Sequence, residues 1–348
     1  MQTTFRWVPL AVLATAAAAA IVLGPVWSSF AASLPWLVAL VAVGLPHGAA
    51  DLAATRQLCG WSTTLRLSAA YIALMGVVVL AVLLMPKLTV ALFTALSIWH
   101  FGLSHARAQS PPPGDWPRQA LAALARGSSV LGVPLAVWPA ETSAVVARLL
   151  TLLDMERTGV SPAFAPPTIR WAGLCLILTA MLALAIETGS SCNQAGALRR
   201  SVDTVVDLTV IGVLGAVADP LYSIGLYFLC WHAWREMGPL MEVIASPQNG
   251  VVRSPSIGPH LLTTRAVNLV RGLAAVHTAA LPLLVPTWLA LATGWWLLSP
   301  DHSPRDLAVL SLAVYVVVTP AHEALHGVLR ARRPVAPRME CSTGIERC

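Results

Sequence analysis

Charged residues are scarce. Asp, Glu, Lys and Arg make up 11% of the 348 residues, against about 25% in soluble globular domains. Lysine is nearly missing, Lys87 being the only one, so the net charge of +6 rests on arginine. These arginines form no basic stripe on a soluble face, which excludes a nucleic-acid partner. The six cysteines include no CxxC pair, which excludes a zinc knuckle or a dithiol redox site; Cys341 and Cys348 read as free thiols in a polar tail. An ordinary cytosolic enzyme, a disordered chain and a disulfide-rich secreted domain are all excluded.

What the chain does have is apolar residues, 57% of the total, with a mean hydropathy of +0.72. The chain must be solvated largely by lipid. The expected fold is an all-α, polytopic membrane bundle of about ten transmembrane helices, each needing about 20 apolar residues. The candidate spans are Trp7–Gly24, Phe30–Pro46, Leu67–Met85, Leu88–Gly102, Gln119–Trp138, Ile169–Ile186, Val205–Ala218, Leu221–Trp234, Gly272–Leu298 and Leu307–Val328. The first reads as a span rather than a signal peptide, because further apolar segments follow it. The fifth is the weakest, since it contains Arg126 and Pro134 interrupts it. Thr142–Leu153 and His260–Arg271 are candidates for helices lying in the interface. Residues 1–330 form one transmembrane domain, and 331–348 a polar, disordered cytoplasmic tail. Turn-rich breaks fall at Ser110–Asp115, Asp154–Pro167, Gly189–Arg200 and Ser246–Pro259.

With both termini cytoplasmic, sixteen arginines fall inside and five basic residues outside, Arg126 lying within a span. This bias follows the positive-inside rule and fixes the expected orientation in the cell membrane.

Histidine is the informative residue. Pro46-His47-Gly48-Ala49-Ala50-Asp51, Trp99-His100-Phe101-Gly102, Cys230-Trp231-His232 through Glu236, and Thr319-Pro320-Ala321-His322 through His326 close the second, fourth, eighth and tenth spans. Every even span runs from outside to inside, so all four sites fall at the cytoplasmic level of the bilayer. His277, Asp203 and Asp207 fall at a similar depth. Three segments carry a second donor at i+4 (Asp51, Glu236 and His326), which on a continuous helix shares a face with the first. A charged group at mid-membrane costs roughly 2.5–3.5 kcal/mol, so such groups are paired or functional. One histidine at an interface is ordinarily a hydrogen-bonded helix end, but four on one level point to a metal. Imidazole with carboxylate and no thiolate suits non-haem iron, Fe(2+), with zinc as runner-up. His105 falls on a different helical face from His100. Trp99, Phe101, Trp231 and Trp234 are either an interfacial aromatic belt or the lining of a pocket for a long apolar substrate.

At these motifs the chain resembles the Brp/Blh family of membrane carotenoid dioxygenases. The resemblance rests on Pro46–Asp51, on Trp99–Gly102, on Cys230-Trp231-His232 followed by Arg235, and on His322 behind Thr319-Pro320, in the family's order. It implies an iron-dependent membrane enzyme that splits the central 15,15' double bond of β-carotene, or a related carotenoid, with O2 to give retinal. Carried over by position, the metal ligands are His47, His100 and His232, with Glu236 or His322 completing the set. Asp51, His326 and His105 are then supporting or alternative ligands. The chain departs from the family at Glu236, where a histidine is usual, at Ala321, where proline is usual, and at Leu103-Ser104-His105, where an acidic residue is usual. The implied partners are the carotenoid, O2 and membrane lipid; the oligomeric state is left open.

Two readings come from other classes. His322-Glu323-Ala324-Leu325-His326 is a literal H-E-x-x-H, the motif of zinc metalloproteases. That reading gives His47, His100 and His232 no role. A non-enzymatic transporter or proton relay would also use intramembrane His, Asp and Glu, but the paired broken helices of transporters are not evident.

Overall fold

The computed structural model describes residues 4–108, 116–153, 164–191, 197–245 and 261–332, all helices and short connections, with no strand among the described residues. The helices are α1 (Thr4–Leu23), α2 (Pro25–Phe30), α3 (Leu34–Val41), α4 (Gly44–Ala49), α5 (Asp51–Cys59), α6 (Trp61–Leu84), α7 (Pro86–Ala108) and α8 (Trp116–Val137). They continue as α9 (Pro139–Leu152), α10 (Pro166–Ser191), α11 (Ala197–Val217), α12 (Pro220–Leu226), a π-helix (Tyr227–Ala233), α13 (Trp234–Ala245), α14 (Leu261–Leu298) and α15 (Pro304–Arg332).

Among the described residues, eight segments are long and apolar enough to cross a membrane. The other two expected spans are present as helix but differ in character. Val205–Ala218 belongs to α11, whose first half carries Arg199, Arg200, Asp203 and Asp207. Leu221–Trp234 is divided between α12, the π-helix and the start of α13. The second span, Pro25–Cys59, is itself broken into four short helices. Thr142–Leu153 lies in α9, while Leu261–Arg271 is the first part of the unbroken α14 rather than a separate interfacial helix. The breaks expected at Ser110–Asp115 and Ser246–Pro259, and the tail from 333 onward, lie outside the described residues.

The fifth span, weakest on sequence, is the most enclosed of the eight. Its Arg126 is 3% exposed and holds Glu187 of α10 at 2.8 Å, with Thr204 of α11 at 3.1 Å. A cation inside a span is tolerated because it is paired and hydrogen-bonded. Arg6 of α1 does the same for Asp203 and Asp207 of α11.

Small residues set the closest helix contact. Gly102 of α7 and Gly127 of α8 lie where the backbones touch. A Cβ on Gly102 would collide with the Ala123 carbonyl, and one on Gly127 with that of Ile98. Where lipid is as apolar as the helix surfaces, such close packing supplies the attraction. It also fixes α7 at the turn that carries His100. Two apolar cores complete the bundle, one around Trp36, Leu214, Tyr227 and Trp231, the other around Met237, Val276 and Leu284.

Candidate metal centre

His47, His100, His232 and His322 come from α4, α7, the π-helix and α15, and all four are buried. Their rings close a quartet. The centroids are 4.6 Å apart for His100–His232, 5.3 Å for His47–His322, 5.5 Å for His100–His322 and 5.6 Å for His47–His232.

Local structure explains how each ring arrives. α4 begins after a backbone break at Val43 (φ −144°, ψ −31°), and the corner packs on Phe228: a Cβ on Gly44 would lie 2.7 Å from that ring. The π-helix is a widened segment of a kind frequent at functional sites. It lays Phe228 against His232, centroids 5.7 Å apart and 21° from parallel.

The proton arrangement is the central feature. His47 Nδ1–H donates to the Val43 carbonyl at 3.1 Å, His100 Nδ1–H to Glu323 Oε2 at 2.8 Å, and His322 Nδ1–H to Asp51 Oδ2 at 2.6 Å. Each bond pins the proton on Nδ1 and leaves Nε2 as a bare lone pair. His100 Nε2 faces His232 Nε2 at 3.0 Å. His322 Nε2 and His232 Nδ1 are buried without a hydrogen-bond partner among the described residues. Buried nitrogens left in this state are costly unless something absent from the protein atoms accepts them. A divalent cation on Nε2 lone pairs would satisfy His322 Nε2 but not His232 Nδ1, and the outward Nδ1–H bonds of His47, His100 and His322 to carbonyl or carboxylate are the usual support for metal-binding histidine.

Asp51, His322 and His326 form a second grouping, with ligand-type atoms all within 4.8 Å of one another. Its geometry is that of hydrogen bonding. Asp51 accepts from His322 at 2.6 Å, shorter than the roughly 3 Å at which metal bonds of about 2.0–2.2 Å hold two donors, while the 3.1 Å to His326 is compatible with either arrangement. Asp51 is a brace between two histidines of α15.

The remaining sequence candidates divide. Glu236 is half-buried one turn beyond His232 and accepts a hydrogen bond from Ser104 Oγ. His105 turns away, its Nε2 lying 3.5 Å from Asp207 and its ring against Trp231. Phe101 lies 5.1 Å from the His232 ring and faces the cavity below. Trp99 packs on Trp116, Trp231 lies under the Arg235 guanidinium, and Trp234 packs in the second apolar core. His277 is a helix-stabilising residue, both its nitrogens meeting backbone carbonyls. Glu323 has a part that sequence reasoning missed. It was visible only as the second letter of H-E-x-x-H, and no local pattern points it toward α7.

All four quartet histidines and Asp51 lie on the wall of one cavity of about 640 Å³, inside the roughly 300–1,000 Å³ range of ligand sites. Beyond the histidines its walls are mainly apolar, with Phe93, Phe101, Leu131, Phe228 and Tyr315 among them. It suits a hydrocarbon ligand with one reactive position against the histidines.

The model of the family described as beta-carotene 15,15'-dioxygenase matches residues 38–330, a stretch that contains every residue of the quartet and its braces. The probable beta-carotene 15,15'-dioxygenase Blh of Halobacterium salinarum is 27% identical over 336 residues, covering 92% of this chain and 89% of that protein. No solved structure matches. By the extent of the family match, the chain belongs to the beta-carotene 15,15'-dioxygenase family.

Proposed function

We propose that the protein cleaves the central 15,15' double bond of β-carotene, or a closely related carotenoid, with O2, using ferrous iron held by His47, His100, His232 and His322. The carrying observation is that three of these rings have Nδ1 committed to Val43, Glu323 and Asp51, while all four line an apolar cavity. Four neutral imidazoles suit iron and zinc alike. Zinc has no redox chemistry, so the reaction selects iron. Glu236, tied to Ser104, is assigned to the surround of the site.

Bound ferrous iron supplies the one-electron reactivity that triplet dioxygen needs to react with a closed-shell alkene. In the net reaction one C=C bond breaks and two C=O bonds form. Both oxygens come from O2, so no external reductant is consumed and no side-chain acid or base is required. The protein's own contribution is placement. Phe101 and Phe228, beside His232, hold the polyene against the quartet, and orientation of this kind supplies much of the barrier lowering in enzymes generally. The apolar walls exclude water, which protects the intermediates of an oxidation.

The substrate dissolves in lipid, and α6 is where lipid and cavity meet. Its Tyr71 and Met75 line the cavity, while Ile72, also on the wall, is 68% exposed at the bundle surface. The arginine bias supports a reading with both termini in the cytoplasm and the quartet at that side of the cell membrane.

The family match disfavours the protease reading, and the site supports that preference. Glu323, which would be the catalytic base, is engaged with His100. Detergent-purified protein incubated with β-carotene and O2 is the test. Two retinals per carotene consumed, and none without O2, support the proposal; no retinal under aerobic conditions refutes it.

A further inference from the structure

A second, smaller chamber of about 220 Å³ adjoins the main cavity, and every residue around that chamber is apolar. Val90 of α7, Leu149 of α9 and Val316 of α15 line both spaces, so their side chains are the partition. The chamber continues past them along α6 and the start of α7, to Val79, Leu83 and Pro86.

The distance from the histidines gives the partition a meaning. Val90 and His100 share α7, ten residues apart, which is about 15 Å along the axis. Val316 and His322 share α15, six residues apart, or about 9 Å. Leu149 and Val316 are 5% and 4% exposed, so two of the three side chains are held by packing. A rigid apolar wall at this depth stops one end of a long hydrocarbon while its middle lies against the quartet.

We propose that Val90, Leu149 and Val316 are the end-stop of a depth ruler: they halt the hydrocarbon ring of the carotenoid and thereby select the central double bond. This rests on the function proposed above. If the stop is removed, the ring enters the second chamber and a double bond away from the centre reaches the quartet. The reaction balances as before, with one C=C broken, two C=O formed and both oxygens from O2. The products then become two apocarotenoid carbonyls of unequal length, two aldehydes or, where the cleaved carbon bears a methyl group, one aldehyde and one ketone.

The test compares wild type, the double variant Val90→Ala/Val316→Ala, and the same double variant carrying Ala313→Phe. Ala313 borders the second chamber only, so the added ring refills it. With β-carotene as substrate, the opened variant should raise the ratio of unequal apocarotenoid aldehydes and ketones to retinal at least tenfold, and Ala313→Phe should restore retinal. Leu149→Val, a smaller opening, is read by the same ratio if the double variant fails to extract as folded protein. Wild-type retinal together with retinal alone from the opened variants overturns the ruler and leaves the parent reading intact. Failure of the wild type to make retinal overturns the parent reading, and the ruler with it.

Discussion

Glu323 of α15 and His100 of α7 are 223 residues apart in sequence, yet their side chains meet at 2.8 Å. The contact fixes the proton of His100 on Nδ1 and turns its Nε2 toward His232, 3.0 Å away. Asp51 does the same for His322 from the opposite side. Two carboxylates thus set the protons of two rings of the quartet, and the Val43 carbonyl that of a third.

Removing the first brace tests this relationship. Glu323→Ala should weaken iron binding about 10–100-fold, the usual effect of losing a ligand's hydrogen-bond partner. Glu323→Gln keeps an acceptor oxygen and should retain more affinity than alanine. Iron titration of stripped, detergent-purified protein checks the order; equal affinity in all three proteins contradicts the brace.

Asp51 braces two histidines, and its loss should cost more. Asp51→Ala is expected to lower iron affinity at least as far as Glu323→Ala and also to destabilise the fold. Breaking a buried charged contact by removing one partner costs about 3–5 kcal/mol. Thermal unfolding in detergent, measured beside iron binding, separates the two effects.

His326 distinguishes the enzyme classes. It lies 27% exposed on the outer side of Asp51, so His326→Ala should keep iron and most retinal formation. In an H-E-x-x-H protease the same change would remove a metal ligand and abolish metal binding.

Part of this site is legible in the sequence. The expectation that His47, His100, His232 and His322 share one level rests on a ten-span parity; eight described segments are long and apolar enough to cross, and the segment of His232 is not one of them, yet the four rings do come together. The i+4 reasoning succeeded only where the helix is continuous. His322 and His326 do share a face of α15, their rings 4.2 Å apart. His47 and Asp51 do not share a helix, since α4 ends at Ala49 and α5 begins at Asp51. Asp51 therefore reaches α15 instead. The π-helix before Glu236 changes the angular spacing in the same way for the third segment. Glu323 was illegible because its partner is set by tertiary packing of α7 against α15, not by any local period.

That packing gives a further expectation. Gly102→Ala or Gly127→Ala would press a methyl into the facing backbone of α8 or α7. Overpacking of this kind typically costs about 1–3 kcal/mol, and here neither backbone can step aside without moving His100. Both variants should unfold at lower temperature in detergent and bind iron more weakly, although neither residue offers a ligand atom. Unchanged melting would show that α7 and α8 are not in backbone contact.

The central claim is that four imidazoles hold one iron. Its most direct measurement is iron per chain in detergent-purified wild type and in single alanine variants of His47, His100, His232 and His322, with His105→Gln and His277→Gln as controls. The account expects close to one iron per chain in wild type, at least a tenfold loss in each of the four variants, and no change in the controls. Wild type purified without iron and unable to take it up, or iron retained in all four variants, would contradict it.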